Sequence, residues 1–298
     1  MIEISIFFDI HLNFTSPINS FHLAEGPGGF IEAFVNLRNN PEDTYTGMTL
    51  IDNNNRGVPS WKKGETFLKR HKNVCIESGS DLTGNILSLE NFDYVVDKYG
   101  GKMDIITADG GFDFSIDFDN QEINMTALLF AQVSYGLCIQ KKNGTFIIKI
   151  FDAFLNNTIN ILALLSSFYR TVYITKPSTS RYANSEKYVV CKGFLHSSNA
   201  EFYPVLRRAL QKIIAINNGD GGVYIHGLLS INTPYLFLNK IEESNTIIGH
   251  QQIDCIHSTI LLIENKNNEI KLKNLVKNNV QKCIKWCVKN NVQYNTFM

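Results

Sequence analysis

Between Phe21 and Lys192, short apolar runs alternate with longer stretches whose apolar residues recur at helical spacing. The runs predict strands at Phe21–Ala24, Met48–Ile51, Val74–Glu77, Met103–Ala108, Thr145–Phe151, Thr171–Thr175 and Tyr188–Cys191. The longer stretches predict helices at Phe30–Asn36, Gln121–Gln140 and Thr158–Tyr169. Strands that alternate with helices imply an α/β fold with a mostly parallel central sheet flanked by helices. Ligands of such sheets bind beyond the carboxyl ends of the strands. After Lys192 the rhythm changes. Phe202–Asn217 reads as a helix, and Leu272–Asn290 as an amphipathic helix bearing Lys273, Lys277, Lys282, Lys285 and Lys289. A solvated lysine face over an apolar stripe is the preferred reading of that charge run, and an RNA-facing edge is the alternative. The chain therefore divides into an α/β domain over residues 1–198 and a largely helical extension of unknown role over 199–298. There is no internal repeat.

Composition narrows the class. Of 298 residues, 44% are hydrophobic and 19% charged, enough for a sizeable core. Twenty-eight basic residues balance 28 acidic ones, which argues against a polyanion-coating protein but leaves room for a local basic groove. The longest apolar stretches, Ala127–Ile139 and Ile159–Phe168, fall short of the ~18 residues of a membrane span, so no membrane is expected. Met1–Ser5 lacks the basic start of a secretory signal. The six cysteines form no C-x-x-C pair and read as reduced thiols. Cys283 and Cys287, one helical turn apart, with Cys255 and His257, leave zinc as an alternative, but packed thiols are preferred and no metal is expected. The asparagine runs Asn53–Asn55 and Asn267–Asn268 read as compositional drift.

Three clusters carry candidate chemistry. Glu25-Gly26-Pro27-Gly28-Gly29-Phe30 follows an expected strand and precedes an expected helix, where glycines allow close backbone approach to a ligand. A nicotinamide fingerprint would need G-x-G-x-x-G, but Ile31 stands at the third glycine. Glu25 would repel a pyrophosphate and suits a cationic cofactor such as S-adenosylmethionine, which has a sulfonium, an ammonium and no phosphate. Asp52, past the second strand, suits a ribose of either cofactor. Ala108-Asp109-Gly110-Gly111-Phe112 ends the fourth strand; alone, Asp109 reads as an Asx turn or cap. Lys149 interrupts the apolar strand Phe146–Asp152, and a buried lysine needs a partner unless it snorkels at the strand end. The phrase Lys176–Lys192 bridges two strands, with Glu186 just before the second; alone it reads as a flexible surface loop. Together, two acids and a lysine arrive near one sheet edge. A lysine between Asp109 and Glu186 can orient a sugar hydroxyl and help its proton leave.

These phrases resemble the FtsJ-like 2′-O-ribose methyltransferases, and more closely the cap-specific mRNA enzymes, including those of large DNA viruses. The resemblance rests on Glu25–Phe30, Ala108–Phe112, Lys149-Ile150-Phe151-Asp152 and Lys176-Pro177 through Gly193, and covers roughly Phe21–Phe194. Ser180-Arg181-Tyr182-Ala183-Asn184-Ser185-Glu186 is its most specific part, and the glycine loop its least. It implies a Rossmann-like S-adenosylmethionine-dependent methyltransferase domain over 1–198. Its Lys-Asp-Lys-Glu tetrad implies Asp109, Lys149 and Glu186 as catalytic residues, with Lys149 central. It implies cofactor contacts at Glu25, Gly26, Pro27, Gly28, Gly29, Phe30, Asp81, Asn85 and Asp109, with Asn85 meeting an adenine amino group through its carbonyl oxygen. Arg181 and Asn184 are candidate RNA contacts, and Lys62, Lys63, Lys69 and Arg70 a second basic patch. The tetrad's first lysine lies upstream of the glycine loop, yet no lysine precedes Lys62. That departure keeps a second reading open: a catalytically silent RNA-binding or partner-activating subunit. A ribosomal-RNA 2′-O-methyltransferase is a third reading. Expected partners are capped mRNA or other RNA and the capping or transcription machinery. The expected location is the cytoplasm or virion for a viral form and the nucleus for a cellular cap enzyme.

Overall fold

The computed structural model describes residues 1–52, 58, 60–112, 120–219, 225–230 and 232–295; the Asn53–Asn55 run lies outside the described residues. In chain order the elements are α1 (Ile2–Phe7), β1 (Asn19–Leu23), α2 (Gly29–Arg38), β2 (Thr44–Met48), α3 (Glu65–Arg70), β3 (Val74–Glu77), α4 (Leu89–Tyr99), β4 (Met103–Ala108) and α5 (Gln121–Ile139). There follow β5 (Gln140–Ile150), α6 (Asn156–Phe168), β6 (Tyr169–Thr175), β7 (Lys187–Phe194), α7 (Tyr203–Asn217), α8 (Tyr235–Glu264) and α9 (Glu269–Lys289). Among the described residues the strands form one sheet in the order β3-β2-β1-β4-β5-β7-β6. The first five in that order pair in parallel, and β7 runs antiparallel to both β5 and β6. This is the mostly parallel α/β sheet that the sequence pattern implied, with helices on both faces.

The element boundaries agree closely at β3 and β4 and differ at β2. The apolar run Met48–Ile51 predicts a strand, but the strand is Thr44–Met48, and Leu50 is exposed. A central parallel strand is covered on both faces, so polar Thr46 and Gly47 are buried there and periodicity gives no cue. Helices α4 and α8 were not anticipated. The apolar residues of α8 are scattered, and only Ile241 and Ile248 are buried in its 30 residues.

Two cores sandwich the sheet. Phe146, Ile148 and Ile150 of β5 face a large core with Phe92, Val95, Tyr135 and Leu162. Ile147 faces the opposite core, where Ile4, Ile31, Phe34, Tyr188 and Val190 gather under α1 and α2. Each fully buried Leu, Ile or Phe contributes about 1.5–3 kcal/mol. Helix α5 meets the length and hydropathy of a membrane span, but 83% of that stretch is buried inside the molecule. The larger core continues past residue 198: Leu206, Leu210 and Ile213 of α7 and Ile241 of α8 join it. Helix α9 has no buried residue within its span. Its Trp286 indole donates to Glu3 Oε2 at 3.0 Å.

Candidate active site

The site is built where β1, β4, β5 and β7 meet the carboxyl edge of the sheet. After β1 the chain turns through Gly26–Gly28 into α2. Gly28 has φ 106°, a conformation that strains any side chain, and a Cβ there would come within 3.4 Å of the Trp61 ring. Glu25 turns inward and is 3% exposed. Its Oε1 accepts the backbone N–H groups of Phe30 (2.5 Å) and Ile31 (2.8 Å), capping α2. Its Oε2 accepts the Thr107 hydroxyl at 2.8 Å, and His22 Nδ1 lies 2.7 Å from the same hydroxyl. Glu25 thus shapes the turn through the helix start, and its carboxylate is enclosed.

At the end of β4, Asp109 N donates to Leu23 O. Buried Gln132 of α5 accepts from Gly110 N at 2.8 Å and fixes the turn that aims Asp109. Strand alternation puts Lys149 on the same face as Ile147, above α2, while Ile148 and Ile150 face α5. Lys149 Nζ lies 3.1 Å from Asp109 Oδ1 and 5.6 Å from the Phe151 ring centre. Asp109 Oδ1 is buried and accepts no hydrogen bond of adequate geometry among the described residues. Burial pushes the Asp109 carboxyl up to about 6, the nearby Glu25 and Glu186 charges add to the rise, and Lys149 opposes it.

The β5–β7 register sets Tyr188 opposite Lys149. Glu186, two residues earlier, accepts the Ser180 hydroxyl at 2.8 Å and lies 3.5 Å from the Tyr188 hydroxyl. Burial raises the Tyr188 phenol far above its usual value, helped by Asp109 and Glu186. The fold therefore brings Asp109, Lys149 and Glu186 to one edge, together with Tyr188, which sequence reading missed. The adjacent Lys187 points to the other face, buried 3.8 Å from Asp152.

Asp81 and Asn85 lie in the loop between β3 and α4. Asp81 is exposed, and its Oδ1 accepts Thr83 N, the Thr83 hydroxyl and Asn91 Nδ2. Desolvation raises its carboxyl, but these hydrogen bonds outweigh it and hold the group below its usual value. Asn85 Oδ1 accepts Leu87 N at 2.9 Å, so the oxygen assigned to an adenine amino group already serves an Asx turn. The organiser of this loop is Asn91, fully buried, which binds Asp81 and Asn85 O from α4. A buried amide in an otherwise amphipathic helix was the signal that could have found it. Asp52 is exposed past β2.

Arg181 is exposed and Asn184 half-buried in the loop before β7. Lys176 holds this loop: its Nζ donates to Asn184 O (2.9 Å), Asn184 Oδ1 (3.1 Å) and Glu186 O (2.5 Å). Lys63 and Arg70 of the second patch line a cleft of about 390 Å³ beside Gly28, whereas Lys69 pairs with Glu65 on the surface of α3. A larger cleft of about 540 Å³ lies between the starts of α5 and α6 and the end of α7, and includes none of the tetrad-like residues. Among the described residues no group of three or more His, Cys, Asp and Glu side chains is placed to hold a metal. Cys283 is exposed and Cys287 half-buried, so the two are not the packed pair the spacing suggested.

Residues 7–194 match the FtsJ-like methyltransferase family model. The chain is 28% identical over 272 residues to cap-specific mRNA (nucleoside-2′-O-)-methyltransferase 2 of Drosophila melanogaster, covering 84% of this chain and 37% of that protein. It is also 28% identical over 246 residues to the inactive cap-specific mRNA (nucleoside-2′-O-)-methyltransferase 1B of Caenorhabditis briggsae, covering 76% of this chain and 27% of that protein. It therefore spans well under half the length of these curated relatives. Human methyltransferase-like protein 13 in complex with SAH superposes with a TM-score of 0.42 at 14% identity, covering 75% of this chain and 94% of that one. With the family model matching well over half of its length, the chain belongs to the FtsJ-like methyltransferases.

Proposed function

We propose that this chain transfers a methyl group from S-adenosylmethionine to the ribose 2′-oxygen of the first transcribed nucleotide of capped mRNA. The observation that carries the reading is the Lys149–Asp109 pair at 3.1 Å, at a sheet edge shared with Glu186. The residues fit the cofactor. The start of α2, where a dinucleotide would seat its pyrophosphate, is already occupied by the Glu25 carboxylate. A donor without phosphate suits such a turn, and Asp109 Oδ1, with Lys149 as its one close partner among the described residues, retains lone-pair capacity for a donor group on a ligand.

When bound, S-adenosylmethionine supplies a methyl already activated on a sulfonium. The chain's task is then alignment, which by itself is worth several kcal/mol. Lys149 steers the 2′-hydroxyl and favours alkoxide character on its oxygen as the proton passes to solvent water and the carbon–oxygen bond forms. Asp109 fixes the direction of Lys149 from β4. Glu186, held by Ser180, bounds the same space from β7. Arg181 and Asn184 grip the RNA beside it, and a 2′-hydroxyl acceptor restricts the substrate to RNA.

A relative described as inactive supports a second reading: a silent RNA-binding subunit on the same fold. Labelled S-adenosylmethionine with defined capped transcripts separates the two. The proposal expects label on the first nucleotide, and a loss of at least ~10²-fold in Lys149→Ala. RNA binding without methyl incorporation into capped or uncapped RNA selects the silent subunit. Label entering ribosomal RNA in preference to capped RNA moves the substrate.

A further inference from the structure

Helix α9 carries exposed Lys271, Lys273, Lys277, Lys282, Lys285 and Lys289 against one acid, Glu269, which pairs with Lys273 at 3.5 Å. The chain as a whole is neutral, so this charge is a local excess. At ~100° per residue, Lys271, Lys282, Lys285 and Lys289 fall within about 60° of arc on one face. They span ~27 Å along the axis.

That face is fastened to the candidate active site. Trp286 borders it, and its indole donates to Glu3 Oε2 at 3.0 Å. Glu3 also accepts Ser178 N at 3.0 Å and the Ser178 hydroxyl at 2.8 Å. Ser178 lies in the loop that carries Arg181 and Asn184 and ends at Glu186. One carboxylate therefore ties the end of the lysine helix to the loop that borders Lys149. A lysine face at an arbitrary place is a solvated surface; one joined to a 2′-hydroxyl site continues the surface over which the rest of the nucleic acid lies.

We propose that the Lys271–Lys289 face of α9 is a track for the RNA strand on the far side of the acceptor nucleotide, binding its phosphates without reading its bases. The inference rests on the reading of Asp109, Lys149 and Glu186 as a 2′-O-methylation site. Lysines act here as point charges on flexible stems, suited to a backbone and not to a fixed bidentate contact. Each phosphate neutralised on a single strand releases counterions and adds ~0.7 to the steepness with which binding weakens in salt.

The test compares the full chain with the variant K271Q/K282Q/K285Q/K289Q. Binding is followed by fluorescence anisotropy across a salt series, with a capped RNA of about 20 nucleotides and with a capped dinucleotide. The expected result is a loss of about tenfold or more for the long RNA near ~0.1 M salt and a log–log salt slope shallower by about 2 to 3. Dinucleotide binding, S-adenosylmethionine binding and methyl transfer to the dinucleotide stay unchanged, and the corresponding Lys→Arg variant keeps wild-type binding. An unchanged slope and affinity for long RNA overturns the track and leaves the face to solvent or to a protein. If wild type methylates no RNA but its salt slope still depends on these lysines, the track stands and the catalytic reading falls. If methylation is normal and the slope does not move, the track alone falls.

Discussion

Asp43 and Asp109 are carboxylates paired with a basic side chain at opposite ends of one sheet. Asp43 stands before β2, with a side chain fully shielded from solvent. Its Oδ1 accepts Ile18 N and Arg38 Nη2, and its Oδ2 accepts Arg38 Nε and the Tyr45 hydroxyl. Arg38 spends its remaining donors on His11 O, Phe14 O and Ser16 O. Burial alone would raise the Asp43 carboxyl, but Arg38, Ile18 N and Tyr45 together hold it below its usual value. Asp109 stands after β4 with Lys149 Nζ 3.1 Å from its Oδ1 and, among the described residues, no further donor on that oxygen, and its carboxyl is raised to about 6. A saturated pair is a joint. An unsaturated one at the carboxyl edge is a place kept for something else.

The sharpest way to break this comparison is to remove each acid. Asp43→Ala should cost about 3–5 kcal/mol in urea unfolding, since it strands a buried arginine. Asp109→Asn should stay within ~1 kcal/mol of wild type while methyl transfer falls at least ~10²-fold. Equal stability losses at the two sites would end the distinction.

Proton linkage sharpens it next. The Asp109 value is raised, so its contribution to stability is fullest below the unfolded value of ~3.9 and is lost as pH rises through about 6. The Asp43 value is lowered, so its contribution is present above ~3.9 and is lost as pH falls through the folded value. Urea unfolding should therefore favour Asp109→Asn over wild type by about 1 kcal/mol more at about pH 7.5 than at about pH 4, after allowance for solvent screening. Methyl transfer should rise with an inflection near 6, as ionised Asp109 becomes available to direct Lys149. A flat profile between about pH 5 and 7 would remove Asp109 from the reacting form.

Lys176 extends the comparison to a cation that serves backbone oxygens. Lys176→Met frees the loop bearing Asn184 and Glu186, and should raise the KM for RNA about tenfold with S-adenosylmethionine affinity unchanged, since one such bond is worth ~1.4 kcal/mol. The smallest effect belongs to Trp286→Phe. It removes one hydrogen bond to Glu3 and should lower stability by about 0.5–1.5 kcal/mol in thermal unfolding.

Asp109, Lys149 and Glu186 were legible in the sequence because each breaks a local pattern: an acid at a glycine turn, a lysine in an apolar strand, an acid closing a polar loop. Strands β3 and β4 were legible because their apolar runs have the length of a strand. The rest was hidden by distance along the chain. Gln132 meets Gly110, Asn91 meets Asp81, and Tyr188 faces Lys149 across β5 and β7, contacts that leave no periodic trace. Glu25 was visible as a charge beside glycines, but the sequence did not reveal that its carboxylate folds back onto Phe30, Ile31 and Thr107. Likewise, the lysines of α9 were visible as a run, but their link to the loop through Trp286 and Glu3 was not.

The inward fold of Glu25 has a consequence for cofactor choice in a crowded cell. Nucleoside triphosphates and dinucleotides compete for any sheet of this shape that offers a bare helix start, because the backbone dipole there attracts phosphate. Here the Phe30 and Ile31 N–H groups at the helix start are already taken by Glu25, and a polyphosphate approaching the turn finds them spent. Conversion to nucleotide use would require removal of the Glu25 carboxylate, which the hydrogen-bonded run Ser20–His22–Thr107 holds against the helix start from β1 and β4.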